Sequence, residues 1–259
     1  MMKISVITVS FNCVNTIEET IKSVLSQNYE DMEYIIIDGG SVDGTIGIIK
    51  KYEDKIIYWI SEPDKGVCDA YNKGIKQAKG KLICIINSDD ILLPGVLNKI
   101  DEQIKSGTDI IYGDTLFYQK EFGEERLKVA TSKINFSKGN FYGMLHPSIL
   151  IRKSAYEKFG LYDVSCKYVG DRELMLRMYE RGAKFQKINL TVARYSSGGA
   201  TGVQNYSKVA FESRKVSIKY GASYFLASYR MVCNVIQIYL IDIYRKINGV
   251  NVIQDIRKK

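Results

Sequence analysis

The chain has 259 residues, 46% hydrophobic and 25% charged, with three prolines, a composition that can bury a substantial core and excludes a disordered or fibrous protein. Its formal net charge of +8 sits mainly at one end: Arg214 to Lys259 holds nine basic and two acidic residues, leaving about +1 on the first 213. A near-neutral body argues against nucleic acid as a partner, and a basic, apolar tail suits an anionic membrane surface.

Ile4 to Val9 is a β-branched run ending at Ser10-Phe11-Asn12, the pattern of a buried parallel strand opening onto a loop. Asn15 or Thr16 can cap a helix through Asn28, and Tyr34 to Ile37 makes a second strand ending at Asp38-Gly39-Gly40-Ser41. The alternation continues with a helix over 43–52, a strand near 56–60, a helix over 67–78 and a strand at 82–86. A helix near 94–105 and a strand at 109–112 complete it. Short apolar strands alternating with helices predict right-handed crossovers and a mostly parallel sheet covered on both faces.

After Tyr112 the rhythm changes. Alternating residues near 115–119, a charged stretch over 121–128 and another alternating piece near 127–131 read as a hairpin or irregular insertion. A helix returns over 171–181, and 222–247 reads as a largely apolar helix with a narrow polar stripe. Its longest uncharged stretch, Met231 to Ile241, falls well short of the roughly 20 residues that span a bilayer, so the tail is expected to lie on a membrane. Packing against the body or a second copy is the competing reading. Five cysteines without CxxC spacing fit reduced thiols, and nothing at the N-terminus reads as an export signal. The expected location is the cytoplasm, on the inner face of its membrane.

In open α/β sheets, ligands bind beyond the carboxyl ends of the strands. Asp38, the segment Ser61 to Gly66, and Asn87-Ser88-Asp89-Asp90 follow three of them, directing carboxylates at one crevice. Asp89 and Asp90 repel each other, a cost most readily met by a divalent cation. Neither GxGxxG after the first strand nor GxxxxGK[ST] anywhere is present, so a dinucleotide fingerprint and a phosphate loop are excluded. Lys65 and Asp69 flank a helix start on the same crevice and are candidates for phosphate and sugar. His146, the single histidine, is a candidate contact for diphosphate, metal or acceptor.

TVSFN at 8–12, DGGSVDGT at 38–45, SEPDKGVCDAYNKG at 61–74, NSDD at 87–90, HPSILIRKSAYEKFGLYD from His146 and GDRELMLRM from Gly170 together resemble family 2 glycosyltransferases of the GT-A fold. The resemblance runs over about residues 3 to 200, and within the family the chain looks like bacterial enzymes that extend surface polysaccharides such as O-antigen or capsule. It implies a GT-A domain over 1–203, with a nucleotide-sugar half (1–112), an acceptor half (113–203) and a helical tail (204–259). By the same resemblance, Val9, Ser10 and Asp38 line the nucleobase, and Asp89 meets ribose or sugar. Asp90 coordinates Mn²⁺ or Mg²⁺ on the diphosphate, with His146 as a second candidate near the metal, and Asp171 is the general base. The implied reaction is inverting transfer from a UDP-sugar to a saccharide, one carried on a lipid in such enzymes. Asn87 departs from the fully acidic metal motif, and the absence of Q-x-x-R-W after Asp171 favours single transfer over processive synthesis. A nucleotidyltransferase, which would release pyrophosphate, and a non-catalytic saccharide-binding scaffold share part of this pattern, and self-association is left open.

Overall fold

The runs of β1 (Ile4–Ser10), β2 (Met32–Asp38), β3 (Tyr58–Ser61) and β4 (Leu82–Asn87) show little polar alternation because helices cover the sheet on both sides. This is seen in a computed structural model that describes residues 3–119, 123–131, 143–197 and 205–248. Ile7, Val9, Ile35, Ile37, Ile83 and Ile85 enter one buried layer. Ile4, Val6, Tyr34, Ile36, Cys84 and Ile86 enter the other.

The second of these layers is closed by α1 (Ile17–Leu25), α2 (Thr45–Lys50) and α4 (Val96–Gln103), through Ile17, Ile21, Val24, Ile49, Leu97 and Ile100. The first is closed by α3 (Val67–Gln77), α5 (Lys153–Phe159) and α6 (Gly170–Glu180), through Tyr71, Ile75, Tyr156, Phe159, Leu174 and Met178. The predicted strands and helices of the first 112 residues are all present, with ends displaced by a few residues.

Three strands, β5 (Ile91–Leu92) within the first 112 residues and β8 (Ile149–Arg152) and β9 (Phe185–Ser196) beyond them, are not anticipated by the sequence pattern. They join β6 (Ile110–Gln119) and β7 (Glu124–Lys128) in one sheet of order β3-β2-β1-β4-β8-β6-β9-β5, with β7 on β6. β1 to β4 are parallel, and β8 introduces antiparallel pairing with both β4 and β6. The hairpin is present, but its second arm is the charged stretch Glu124–Lys128 rather than 127–131. Charged side chains on this strand discourage pairing with another chain.

The predicted tail divides into two helices. α7 (Tyr206–Lys219) docks on the body, where Val216 joins the core and Arg172 Nη2 donates to Ser217 Oγ at 2.7 Å. α8 (Tyr224–Asn248) carries the apolar run and leaves Phe225, Tyr229, Val232, Ile236, Tyr239 and Ile243 exposed. Among the described residues no helix is long and apolar enough to cross a membrane. The basic terminus 249–259 lies outside them.

β6 and β9 run parallel with register shifts on either side of Asp114, and Gly113 sits at the irregularity. A Cβ there would run into the Leu190 carbonyl oxygen and approach Val192 Cγ2 to 2.7 Å. Gly113→Ala is therefore expected to cost about 2 kcal/mol by overpacking, read as a lower urea unfolding midpoint. An unchanged midpoint would mean that β9 can move aside at no cost.

Candidate active site

Parallel register brings the carboxyl ends of the strands side by side: Ser10 lies opposite Asp38, Asp38 opposite Ser61, and Val9 opposite Asn87. Asp38 is buried, and donors from three segments meet its carboxylate. Oδ1 accepts from Ser10 Oγ (2.8 Å) and Ser41 Oγ (2.5 Å). Oδ2 accepts from Ser61 Oγ (2.6 Å) and from the backbone N–H groups of Gly40 (3.1 Å) and Ser41 (2.8 Å). Burial alone would raise its pKa, but these hydrogen bonds outweigh burial and hold it below the ordinary carboxylate range. Asp38 is thus the knot of the crevice wall, and a nucleobase contact would require one of these donors to yield.

Beside this knot, Phe11 projects from the end of β1 and is 63% exposed. Gly39 gives it room, because a Cβ at Gly39 would come within 3.3 Å of the Phe11 ring and 2.6 Å of Asp64 Oδ2. Val9 and Ser10, the expected base-lining residues, are both buried. Lys65 is exposed at the start of α3, where its N–H donates to Asp69 Oδ2 at 3.1 Å, and Asp69 lies 3.9 Å from Lys73 Nζ.

At the end of β4 the two adjacent carboxylates part company. Asp90 is fully buried: Oδ1 accepts from the Ser196 N–H (3.0 Å), Oδ2 from Asn87 Nδ2 (3.2 Å), and its carbonyl from Thr20 Oγ1 (2.8 Å). Burial, then the charge of Asp89, pushes its pKa well up. Asp90, the residue expected to hold the metal, faces the protein here and ties β4 to β9 and α1. Asp89 is the partly exposed member of the pair.

Tyr71 connects this corner to the second half. Its hydroxyl donates to Asn87 Oδ1 at 2.7 Å, and its ring stacks on His146 (5.0 Å between centroids) and lies 4.9 Å from the ring of Tyr162. Burial, with Asp171, Cys68, Asp90 and Asp89 close by, pushes its phenol pKa well up. Asp171, in the first turn of α6, acts electrostatically on Tyr71, Tyr162 and His146 alike. His146 Nε2 is 3.0 Å from the Tyr162 hydroxyl, and Nδ1 is buried without a hydrogen-bond partner. Burial lowers the His146 pKa, with Asp171 opposing, so the ring is neutral at pH 7.

The turn carrying Asp171 is held from outside. Glu212 on α7 accepts the successive N–H groups of Lys167 (2.8 Å), Tyr168 (2.7 Å) and Val169 (2.9 Å), just before α6 begins. Asp89, Asp90, His146 and Asp171 therefore gather around Tyr71, and Asp38 stands two strands away along the same sheet end. Tyr71, Phe11 and Glu212 were not singled out from sequence. The first two lie inside quoted motifs, where burial could not be read. Gly198-Gly199-Ala200-Thr201, whose sequence resembles a loop that lies over the product side in family 2 glycosyltransferases, falls outside the described residues.

Among the described residues no three His, Cys, Asp or Glu side chains converge as a metal cage. A cation on a diphosphate needs less: Mg²⁺ is typically held by one or two carboxylates, with phosphate oxygens and water completing its shell. Asp89, the partly exposed carboxylate at the end of β4, fits that smaller demand.

A family model described as "Glycosyl transferase family 2" matches residues 5–163. An uncharacterised glycosyltransferase of Mycobacterium tuberculosis is 34% identical over 185 residues, 67% of this chain and 68% of that protein. WfaP of Escherichia coli, named as a UDP-Glc:alpha-D-GlcNAc-diphosphoundecaprenol beta-1,3-glucosyltransferase, is 29% identical over 243 residues, 90% and 91% of the two chains. The mannosyltransferase PcManGT of Pyrobaculum calidifontis, solved with GDP-Man and Mn²⁺, superposes with a TM-score of 0.66 at 12% identity. The match covers 96% of this chain and 76% of that one.

A carboxylate with a lowered folded pKa stabilises the fold above its unfolded value of about 3.9 and loses that contribution as pH falls through the folded value. Asp38→Asn is accordingly expected to cost about 2 kcal/mol at pH 7 and distinctly less below pH 3, measured by urea unfolding at both. Equal losses would show that the charge on Asp38 contributes nothing.

Proposed function

This chain belongs to glycosyl transferase family 2 and is a glycosyltransferase, and on that premise we propose that it transfers one sugar, with inversion, from a UDP-sugar to a lipid-linked saccharide. The observation that carries the reading is the Tyr71 ring, stacked on His146 and bonded to Asn87 at the end of β4, with Asp89 and Asp171 both near enough to act on its hydroxyl. The donor class and the acceptor class are supported by the activity for which the E. coli relative is named.

In this reading residues 1–112 bind the donor and 113–203 the acceptor. The nucleobase lies against Phe11, beside Val9 and Ser10, and the Asp38 knot keeps that wall rigid. Lys65 and Asp69 stand at the mouth, toward phosphate and sugar. Asp89 would hold Mn²⁺ or Mg²⁺, and Asp90 keeps the end of β4 in place. A bound cation would disperse charge on the departing diphosphate. Asp171 accepts the proton of the acceptor hydroxyl as that oxygen attacks the anomeric carbon opposite the leaving group, giving a β linkage from an α-linked donor. No covalent intermediate forms.

The exposed stripe of α8 recurs at intervals of four and three residues from Phe225 to Ile243, and Arg230 falls on the other side of the helix. It is assigned to the membrane surface on which a lipid-linked acceptor would lie, buried at the interface by its apolar side chains and attracted by the basic tail.

Asp171→Asn should lower kcat by about 10³-fold while leaving UDP affinity and thermal unfolding unchanged. Normal turnover would remove Asp171 as the base, and pyrophosphate in place of UDP as product would point to nucleotidyl transfer. The chain should also sediment with anionic phospholipid vesicles more than with neutral ones. Replacing Phe225 and Tyr229 by Ser should release it, and no sedimentation with either vesicle would refute the membrane assignment.

A further inference from the structure

The β6–β7 hairpin presents a face that the proposed mechanism leaves unused. Alternation along a strand sends Gly113, Thr115, Phe117 and Gln119 to one side of β6, and cross-strand pairing sets Arg126 opposite Phe117 and Lys128 opposite Thr115. Met144 and Leu145 close the other side, leaving a cavity of about 440 Å³, within the range of small-molecule sites. Its floor is apolar, and its ionised lining residues are Arg126 and Lys128. No carboxylate lines it among the described residues. Arg126 Nη2 donates to Glu124 at 3.0 Å, which leaves further guanidinium N–H groups for another acceptor, and Lys128 Nζ lies 5.5 Å over the Phe117 ring.

The cavity adjoins the reaction centre on two sides. Leu145 precedes His146 directly. Tyr118, beside Phe117, pairs with Ser196, whose N–H donates to Asp90. In the sheet, β6 lies two strands beyond β4, on the side away from β1 and β2. That is about 10 Å further from the expected nucleotide wall. Saccharides are poor matches for an apolar floor edged by Arg126 and Lys128, whereas an anionic headgroup on a hydrocarbon chain suits both features.

We propose that this cavity binds the lipid-side part of the acceptor, a diphosphate joined to an apolar chain, with Arg126 and Lys128 on the diphosphate and Phe117, Met144 and Leu145 against the first carbons. The assignment rests on the reading of the chain as a transferase to lipid-linked saccharides. The shared chemistry, a diphosphate ester, could come from donor or acceptor, and the test separates them.

The probe is octyl diphosphate below its micelle concentration, titrated into the full chain saturated with UDP and Mn²⁺. It should bind the UDP-loaded protein, and an Arg126→Gln/Lys128→Gln double variant should bind it at least tenfold more weakly, with UDP affinity and melting temperature unchanged. Lys128→Arg, which keeps the charge, should bind nearly as the parent does. Displacement of octyl diphosphate by UDP, or undiminished binding in the double variant, would overturn the proposal. Failure of the parent to bind UDP would instead overturn the donor reading, and the octyl diphosphate titration, repeated without UDP on the parent and the double variant, would still decide the cavity assignment.

Discussion

A single buried carboxylate holds the crevice together. A charge taken from water must be paid for in hydrogen bonds, and Asp38 collects them from β1, from β3 and from its own turn. The requirement spreads outward. Ser41 Oγ also accepts from the Asn12 N–H at 2.8 Å, and Asn12 Oδ1 accepts from the Val42 N–H at 2.9 Å, so the loops after β1 and β2 interlock. Gly40 at φ +86° gives the turn the left-handed bend that brings two N–H groups onto one oxygen.

A second set of bonds attaches the two halves of the molecule. Asn72 on α3 donates to the Tyr162 carbonyl and accepts from the Tyr162 N–H, both at 2.9 Å, across 90 residues of sequence. Cys68 Sγ donates to the Cys166 carbonyl nearby at 3.2 Å. Because α3 also carries Tyr71, these bonds set the distance between the end of β4 and the start of α6. α7 completes the support: Glu212 gathers three N–H groups ahead of Asp171, and buried Glu173 receives Arg177, Lys219 and Tyr220. The proposed base is thus placed by a helix whose own sequence carries no chemical signature.

The family resemblance gives Asp89 to the sugar and Asp90 to the metal, and adjacency adds that the two charges repel, but neither says which of them turns inward. The structure turns Asp90 in because β9 arrives from 106 residues away and offers the Ser196 N–H to it. The cavity on the hairpin has a similar origin. Each of Phe117, Arg126 and Lys128 looks like an ordinary strand residue, and the wall that makes them a pocket comes from Met144 and Leu145.

The sequence by itself determined the parallel first half, the strand-end position of Asp38 and Asp89, the start of α6 at Asp171 and the apolar final helix. Those features follow from local periodicity, turn residues and burial on two faces, all of which are written within short windows. Tertiary structure alone decided the antiparallel insertion of β8, the pairing of β9 with β6, the inward turn of Asp90 and the bond from Glu212 to the α6 entry. Each of these depends on which distant segment supplies a hydrogen-bond partner, and a donor or acceptor shows nothing of its eventual partner until the chain has closed around it.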